Sequence, residues 1–186
     1  MKKVTIKCIL NKTIEKKRYI RIFIAAAAVA LLLILVGVPL YRNINPATEG
    51  ELFAEFYEPF EDKSAGQFLI EENSLYEAKN RYKNGDYENA LRIFSTLPDA
   101  IVIKAEKLFY SGLIYMELGQ YNNAITQFER LLEQSDASLL HGHVKWYLGL
   151  CYLKTSHSDK AKKMFSDIEK NKLYNYRNAS KLLKKM

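Results

Sequence analysis

The sequence predicts an all-α protein in which one membrane-spanning helix precedes a solenoid of helical hairpins. Three observations predict this fold. Residues 22–40 form an apolar run of 19 residues without a charged side chain. From about residue 68 onward, apolar residues recur with a period close to 3.6, and no alternating strand pattern of useful length appears. A segment of the chain also recurs 34 positions later, which is typical of a repeat architecture.

The first element is a basic tail, residues 1–21, which we expect to lie in the cytoplasm. Residues 1–42 hold nine Lys or Arg and one acid, whereas residues 43–186 hold 19 basic and 20 acidic residues. A nucleic-acid-binding domain would carry its positive charge on the folded surface, so we expect no nucleic-acid partner. Within the near-neutral part, residues 43–100 carry a net charge of −7 and residues 101–186 one of +6, which predicts a polarity along the fold.

The second element, residues 22–41, is predicted to be a transmembrane helix. As a helix, the apolar run reaches about 28 Å, close to the roughly 30 Å hydrocarbon core of a bilayer. Eight basic residues precede the run and only Arg42 follows it closely, so we expect a cytoplasmic N-terminus. A cleaved signal peptide is the alternative. The length of the run and the lack of a small-x-small site after it favour a permanent, single-pass anchor.

The third element, residues 42–67, is an acidic juxtamembrane linker that mixes Pro, Gly and carboxylates. Its apolar residues fall at helical spacing, which predicts one or two amphipathic turns. Because acidic neighbours match anionic lipid poorly, we expect these turns to pack on the folded domain rather than on the membrane surface. The apolar residues are Leu52, Phe53, Phe56, Tyr57 and Phe60.

The fourth element, residues 68–172, contains three copies of one sequence pattern. Residues 82–94 recur as residues 116–128. Four matching pairs lie 34 positions apart: Gly85 and Gly119, Tyr87 and Tyr121, Ala90 and Ala124, Phe94 and Phe128. The third copy is offset by 37 positions, and residues 156–158, Ser-His-Ser, stand where the turn has lost its Gly and Tyr.

These residues resemble the tetratricopeptide repeat (TPR) family, whose unit is a helix, a tight turn and an antiparallel helix. The resemblance implies hairpins at about 70–97, 101–134 and 138–170, followed by a capping helix within residues 173–186. Gly85 and Gly119 would close the turns, where a residue without Cβ can take a positive φ. Small residues would let the two helices of each hairpin approach closely: Ala78, Ala90, Gly112, Ala124, Gly149 and Ala161.

TPR stacks usually bind partners on the concave face lined by the first helix of each hairpin. Projected onto this chain, that face is an apolar and aromatic stripe that suits an apolar peptide or helix. The sequence leaves a second reading open, in which the stripe is filled internally by residues 50–67 or by the capping helix. We refer to the stripe as the groove face: Leu75, Tyr82, Phe109, Leu113, Met116, Trp146, Leu150 and Leu153.

Sequence signals for chemistry are few. No phosphate-binding loop and no hydrolase or metalloprotease motif is present, so we expect no enzymatic activity. His141 and His143 are two positions apart, about 200° around a helix, and cannot share a metal ion on one face. Cys151 is expected to be a small core residue. We therefore expect neither a bound metal nor a cofactor.

The resulting hypothesis is a membrane-anchored scaffold that binds protein or peptide partners through its concave TPR face. It would sit in the bacterial inner membrane with the repeats in the periplasm. The alternative is a transmembrane signalling component whose basic tail contacts a cytoplasmic regulator. A homo-oligomer joining acidic and basic halves is a further option, and the sequence leaves the oligomeric state open.

Overall fold

The computed structural model describes residues 23–24, 26–38, 46–61, 73–98, 101–134 and 140–186. The chain divides into two units, Met1–Pro46 and Ala47–Met186, each of which is described by itself.

In the first unit, residues 23–24 and 26–38 are helical, and their large apolar side chains, such as Phe23 and Leu33, are exposed. In the part of the chain that the structure describes, no helix is both long and apolar enough to span a membrane. The predicted basic tail, residues 1–21, lies outside the described residues. So do the ends of the span predicted for residues 22–41.

The described part of the second unit consists of helices and contains no strand, so the predicted all-α class is confirmed. Helices α2–α3, α4–α5 and α6–α7 form three successive hairpins. Helix α8 packs against α7, and helix α1 packs against α6 and α8. The helices are α1 (Glu49–Phe56), α2 (Asn73–Lys83), α3 (Tyr87–Thr96), α4 (Ile101–Glu117), α5 (Tyr121–Leu132), α6 (His141–Lys154), α7 (Ser158–Lys170) and α8 (Tyr176–Leu183).

The three hairpin turns share one backbone geometry. Gly85, Gly119 and Ser156 all take a positive φ, of 76°, 70° and 58°. The residue that follows each of them donates its N–H to a carbonyl five positions back, as in Gln120 to Tyr115 at 2.7 Å. Together with the shorter bond from the turn residue itself, this pattern is a Schellman motif. The third turn therefore keeps the geometry although its sequence has lost the glycine.

Small residues lie where the two helices of a hairpin touch. A Cβ atom added to Gly112 would lie 2.4 Å from the ring of Phe128, and one added to Gly149 would lie 2.7 Å from the ring of Phe165. The remaining small residues named above for helix contact are fully buried: Ala78, Ala90, Ala124 and Ala161. The hydrophobic core follows these contacts along the hairpins.

The core also includes helix α1, from the segment predicted to be a linker. A capping box starts this helix, because Thr48 accepts from the backbone N–H of Glu51, whose carboxylate accepts from Thr48 in return. Leu52, Phe53 and Phe56 are buried. A helix of eight residues is too short to be stable alone in water, so its packing on the hairpins holds it in place.

Candidate functional site

The candidate site is the groove face together with the chain segment that lies on it. Residues 47–61 form this segment, which comprises α1 and the extended residues after it; we call it the docked segment. Seven of the eight groove-face residues are buried, and Leu75 is half-buried. The structure brings Phe109 and Tyr82 into contact with the docked segment. Trp146 instead packs its indole against Phe165 of its own hairpin, with 5.4 Å between ring centroids.

Phe60 is the aromatic anchor at the end of the docked segment. Its ring lies edge-on to the ring of Phe109 at 5.1 Å, to the imidazole of His143 at 5.7 Å and to the ring of Tyr147 at 6.3 Å. A fourth edge contact joins it to Tyr110 at 6.2 Å. Edge-to-face pairs of this kind stabilise beyond their buried area, so Phe60 seats the segment on α4 and α6 together.

Phe53 and Tyr57 form a second aromatic anchor. Their rings stack with 4.9 Å between centroids, and Phe53 also meets Tyr121 edge-on at 5.5 Å. The ammonium of Lys154 lies 4.9 Å from the centroid of Phe53, a cation–π contact. The Tyr57 hydroxyl donates a hydrogen bond to Glu117. Burial first, and then this carboxylate, raise the pKa of Tyr57, so the phenol stays protonated.

Polar groups of the hairpins satisfy the backbone of the extended residues. Tyr82 donates its hydroxyl proton to the carbonyl of Phe60 at 3.3 Å, and Tyr147 donates to the carbonyl of Glu58 at 3.2 Å. Burial raises the pKa of Tyr147, so this phenol also remains a donor. Tyr82 of the groove face and the neighbouring Tyr147 thus supply hydrogen bonds as well as apolar surface.

Carboxylates of α1 meet the C-terminal end of the stack. Ser158, at the start of α7, donates a hydrogen bond to Glu49, and Lys185 forms an ion pair with Glu55. The net charges of residues 43–100 and 101–186 predicted a polarity along the fold. The structure instead sets the acidic helix α1 beside the basic end, so the two halves partly interleave.

Sequence reasoning missed Tyr110, Tyr147 and Tyr121 as contacts of the docked segment. Tyr110 and Tyr147 occupy equivalent positions of two repeats, 37 positions apart, and each directly follows a residue of the predicted stripe. That recurrence of Tyr was the signal that could have identified them.

His143 lies at the junction of the docked segment and the cap. Its imidazole stacks on Tyr174 with 3.8 Å between centroids, and burial lowers its pKa. Nδ1 is buried and has no hydrogen-bond partner in the described part of the chain. Within the described ranges, no three His, Cys, Asp or Glu side chains are grouped so that they could hold a metal ion. Cys151 is buried, which raises the pKa of its thiol and keeps it unreactive.

Comparison with protein families gives one result for this chain. A model of the tetratricopeptide repeat matches residues 108–138, which run from α4 through the Gly119 turn and α5. Comparisons with curated proteins and with solved structures find no match.

Proposed function

Because this chain is a tetratricopeptide repeat protein, and such repeats are scaffolds for protein interaction, we propose that it is a membrane-anchored adaptor of the bacterial envelope. The apolar run of residues 22–40 and the basic residues before it support the anchor and a cytoplasmic N-terminus. The repeats then lie in the periplasm, and the protein acts by docking partners without catalysis.

One observation supports the docking part of this proposal: a segment from outside the repeats, which includes an amphipathic helix, already packs on the hairpins and reaches the groove face. Phe60 of this segment contacts Phe109 of the groove face. Helix α1 packs against α6, and its Phe53 meets Tyr121 of α5. Binding of an amphipathic helix in an apolar groove is a recurrent mode of protein recognition. The partner segment is therefore helical, bears two or three aromatic side chains with carboxylates between them, and takes the place of residues 47–61.

The covalent connection of the docked segment sets the conditions for this exchange. A tethered segment competes at a high effective concentration, in the millimolar range for short linkers. A free peptide therefore binds with an apparent affinity lowered by the small fraction of open groove. A partner held in the same membrane has its own local concentration raised, so the anchor favours membrane partners over soluble peptides.

In-membrane photocrosslinking tests the docking proposal. A photoreactive residue at Phe109 reports what lies on the groove face, and the same residue at exposed Lys162 is the control probe. In a Phe60→Ala background the docked segment is loosened, so we expect capture of residues 47–61 to fall and capture of a discrete partner to rise. Capture of residues 47–61 alone in both backgrounds would contradict the proposal.

A separate measurement tests the anchor. We expect the full chain to stay in the membrane pellet at alkaline pH and its C-terminus to be digested by protease added from the periplasmic side. Release of the chain into the supernatant would contradict the membrane anchor. It would not affect the crosslinking result, which tests docking separately.

A further inference from the structure

The outer face of the C-terminal cap is basic. Arg177, Lys181 and Lys184 are exposed and lie at positions i, i+4 and i+7, so they share one face of α8 and the turn after it. The opposite face, with Ala179 and Leu182, is fully buried against the stack. Residues 170–186 contain six Lys or Arg and no Asp or Glu. We call Arg177, Lys181 and Lys184 the cap surface.

The charges of the cap surface are not neutralised by the fold. No ion pair joins any of these three side chains to a carboxylate in the ranges that the structure describes. By contrast, Lys79 and Lys145 on the hairpins pair with Glu106 and Asp167. Glu55 lies near the end of this row but pairs with Lys185. The three charges of the row itself are therefore available to an anionic partner.

We propose that the cap surface binds the anionic phospholipid headgroups of the bilayer in which the chain is anchored, an inference that rests on the membrane anchor of the proposed function. The three side chains are exposed and do not enclose a pocket for a single small anion. They are better matched to a surface that carries many negative charges, such as a layer of headgroups.

The length of the chain favours lipid over an acidic protein as this partner. Only eight residues, 41–48, separate the apolar run from α1, and fully extended they reach at most about 28 Å. Helix α1 in turn contacts the cap through the pair of Glu55 with Lys185. A tether of this length keeps the second unit, and with it the cap surface, at a high effective concentration of headgroups. Tyr174, exposed beside the cap, is of a residue type enriched at membrane interfaces.

The inference predicts a large, salt-dependent effect. Each basic residue near an anionic leaflet favours contact about fivefold, so three residues favour it roughly a hundredfold. Salt screens exposed charges over a Debye length of about 10 Å at moderate ionic strength, so the contact weakens as salt is added.

Energy transfer on the full chain tests the inference. The chain is reconstituted into phosphatidylcholine vesicles with or without phosphatidylglycerol, a donor fluorophore is placed after Met186, and an acceptor is carried on the headgroups. We expect stronger transfer when phosphatidylglycerol is present, and a return to the phosphatidylcholine level at high salt. The variant R177E/K181E/K184E should abolish the difference.

The matched control reverses three exposed basic residues elsewhere, in the variant K83E/R92E/R130E, which changes the net charge equally. It should transfer as the unchanged chain does, and circular dichroism should show both variants folded. Equal transfer with and without phosphatidylglycerol, or an equal loss in the control variant, would overturn the inference. Binding of an acidic protein that depends on the cap surface, without an effect of phosphatidylglycerol, would also overturn the inference.

Flotation with phosphatidylcholine vesicles tests the membrane anchor alone. If the full chain did not float with these vesicles, the proposed function and the tether argument that rests on it would both be wrong.

Discussion

The ring of Phe60 meets the ring of Phe109 edge to face, with 5.1 Å between their centroids. The two residues are 49 positions apart, one in the docked segment and the other in the first helix of the second hairpin. Phe109 is 1% exposed. The contact therefore closes the centre of the groove face with a residue from outside the repeats, which makes the docked segment part of the folded unit.

Replacing Phe60 with Ala should loosen the docked segment. The substitution removes four aromatic contacts around a half-buried ring, so we expect the free energy of unfolding to fall by about 2 kcal/mol, less than for a fully buried Phe. Urea unfolding of the detergent-solubilised chain measures this loss. Limited proteolysis should also cut within residues 47–61 sooner.

The control for this prediction is Glu61→Ala, because Glu61 is the exposed neighbour of Phe60. It should change the free energy of unfolding by less than about 0.5 kcal/mol. Equal proteolysis rates for the two variants would contradict the seating role of Phe60.

The hairpins could be predicted from the sequence because their determinants are local and recur. Gly119, Ala124 and Phe128 lie within ten positions of one another, and the same spacing appears 34 positions earlier. Each of these residues permits a local geometry: a positive φ at the turn, or the close approach of two neighbouring helices. The recurrence was therefore enough to predict the fold class and the small residues at the helix contacts.

The seating of the docked segment could be predicted only in part. The helical spacing of the apolar residues indicated an amphipathic turn that packs on the domain. The residues that contact the docked segment are set by pairs such as Phe60 and Phe109, or Glu58 and Tyr147. The members of each pair lie far apart in the chain, so they leave no local sequence pattern. Tyr147, which directly follows Trp146 of the groove face, contacts Phe60 because packing sets the rotation of each helix within the stack, and the projection from sequence does not include that rotation.

Replacing Gly112 with Ala should destabilise the second hairpin. The new Cβ would lie 2.4 Å from the ring of Phe128, which is fully buried and cannot move aside. Overpacking in a core costs about 1 to 3 kcal/mol, and the better helix propensity of Ala returns at most about 1 kcal/mol. We therefore expect a net loss of about 1 to 2 kcal/mol in urea unfolding.

Gly50→Ala is the matched control because Gly50 is also helical but its Cβ would meet nothing within 4 Å. There only the propensity term remains, so we expect a gain of about 0.5 kcal/mol. A Gly112 variant as stable as the unchanged chain would show that the two helices do not pack as closely as described.

A glycine in the third hairpin turn should stabilise the fold. Ser156 takes a φ of 58°, the left-handed conformation that glycine takes at the other two turns. This conformation costs an ordinary L-residue about 1 to 2 kcal/mol, part of which glycine gives back through the entropy of the unfolded chain. We expect Ser156→Gly to raise the free energy of unfolding by about 0.5 kcal/mol.

The reciprocal change, Gly119→Ala, should lower the free energy of unfolding by about 1 kcal/mol for the same reason. Both variants change an exposed position, so packing does not confuse the comparison. A loss of stability in Ser156→Gly would mean that the Ser side chain contributes more than its backbone strain costs.

The stability of the folded unit should fall in mildly acidic solution because of His143. Burial lowers the pKa of this imidazole, whereas in the unfolded chain it titrates near pH 6.5. The folded state therefore favours the neutral ring. Its contribution is present above about pH 6.5 and is lost as the pH falls through the lower pKa of the folded state. Urea midpoints measured from about pH 8 to about pH 5 follow this loss.

His143→Phe should flatten this pH dependence, because a phenyl ring keeps the stacking on Tyr174 and the edge contact with Phe60 but binds no proton. The protonated imidazole of the unchanged chain would face the rings of Phe60 and Phe109, and its Nδ1 would have no hydrogen-bond acceptor in the described chain. We therefore expect protonation of His143 to destabilise the contacts of the docked segment most. His157→Phe, at an exposed position, is the control. If the slope between about pH 7 and pH 5 were the same in His143→Phe as in the unchanged chain, groups other than His143 would account for the loss and the prediction would be wrong.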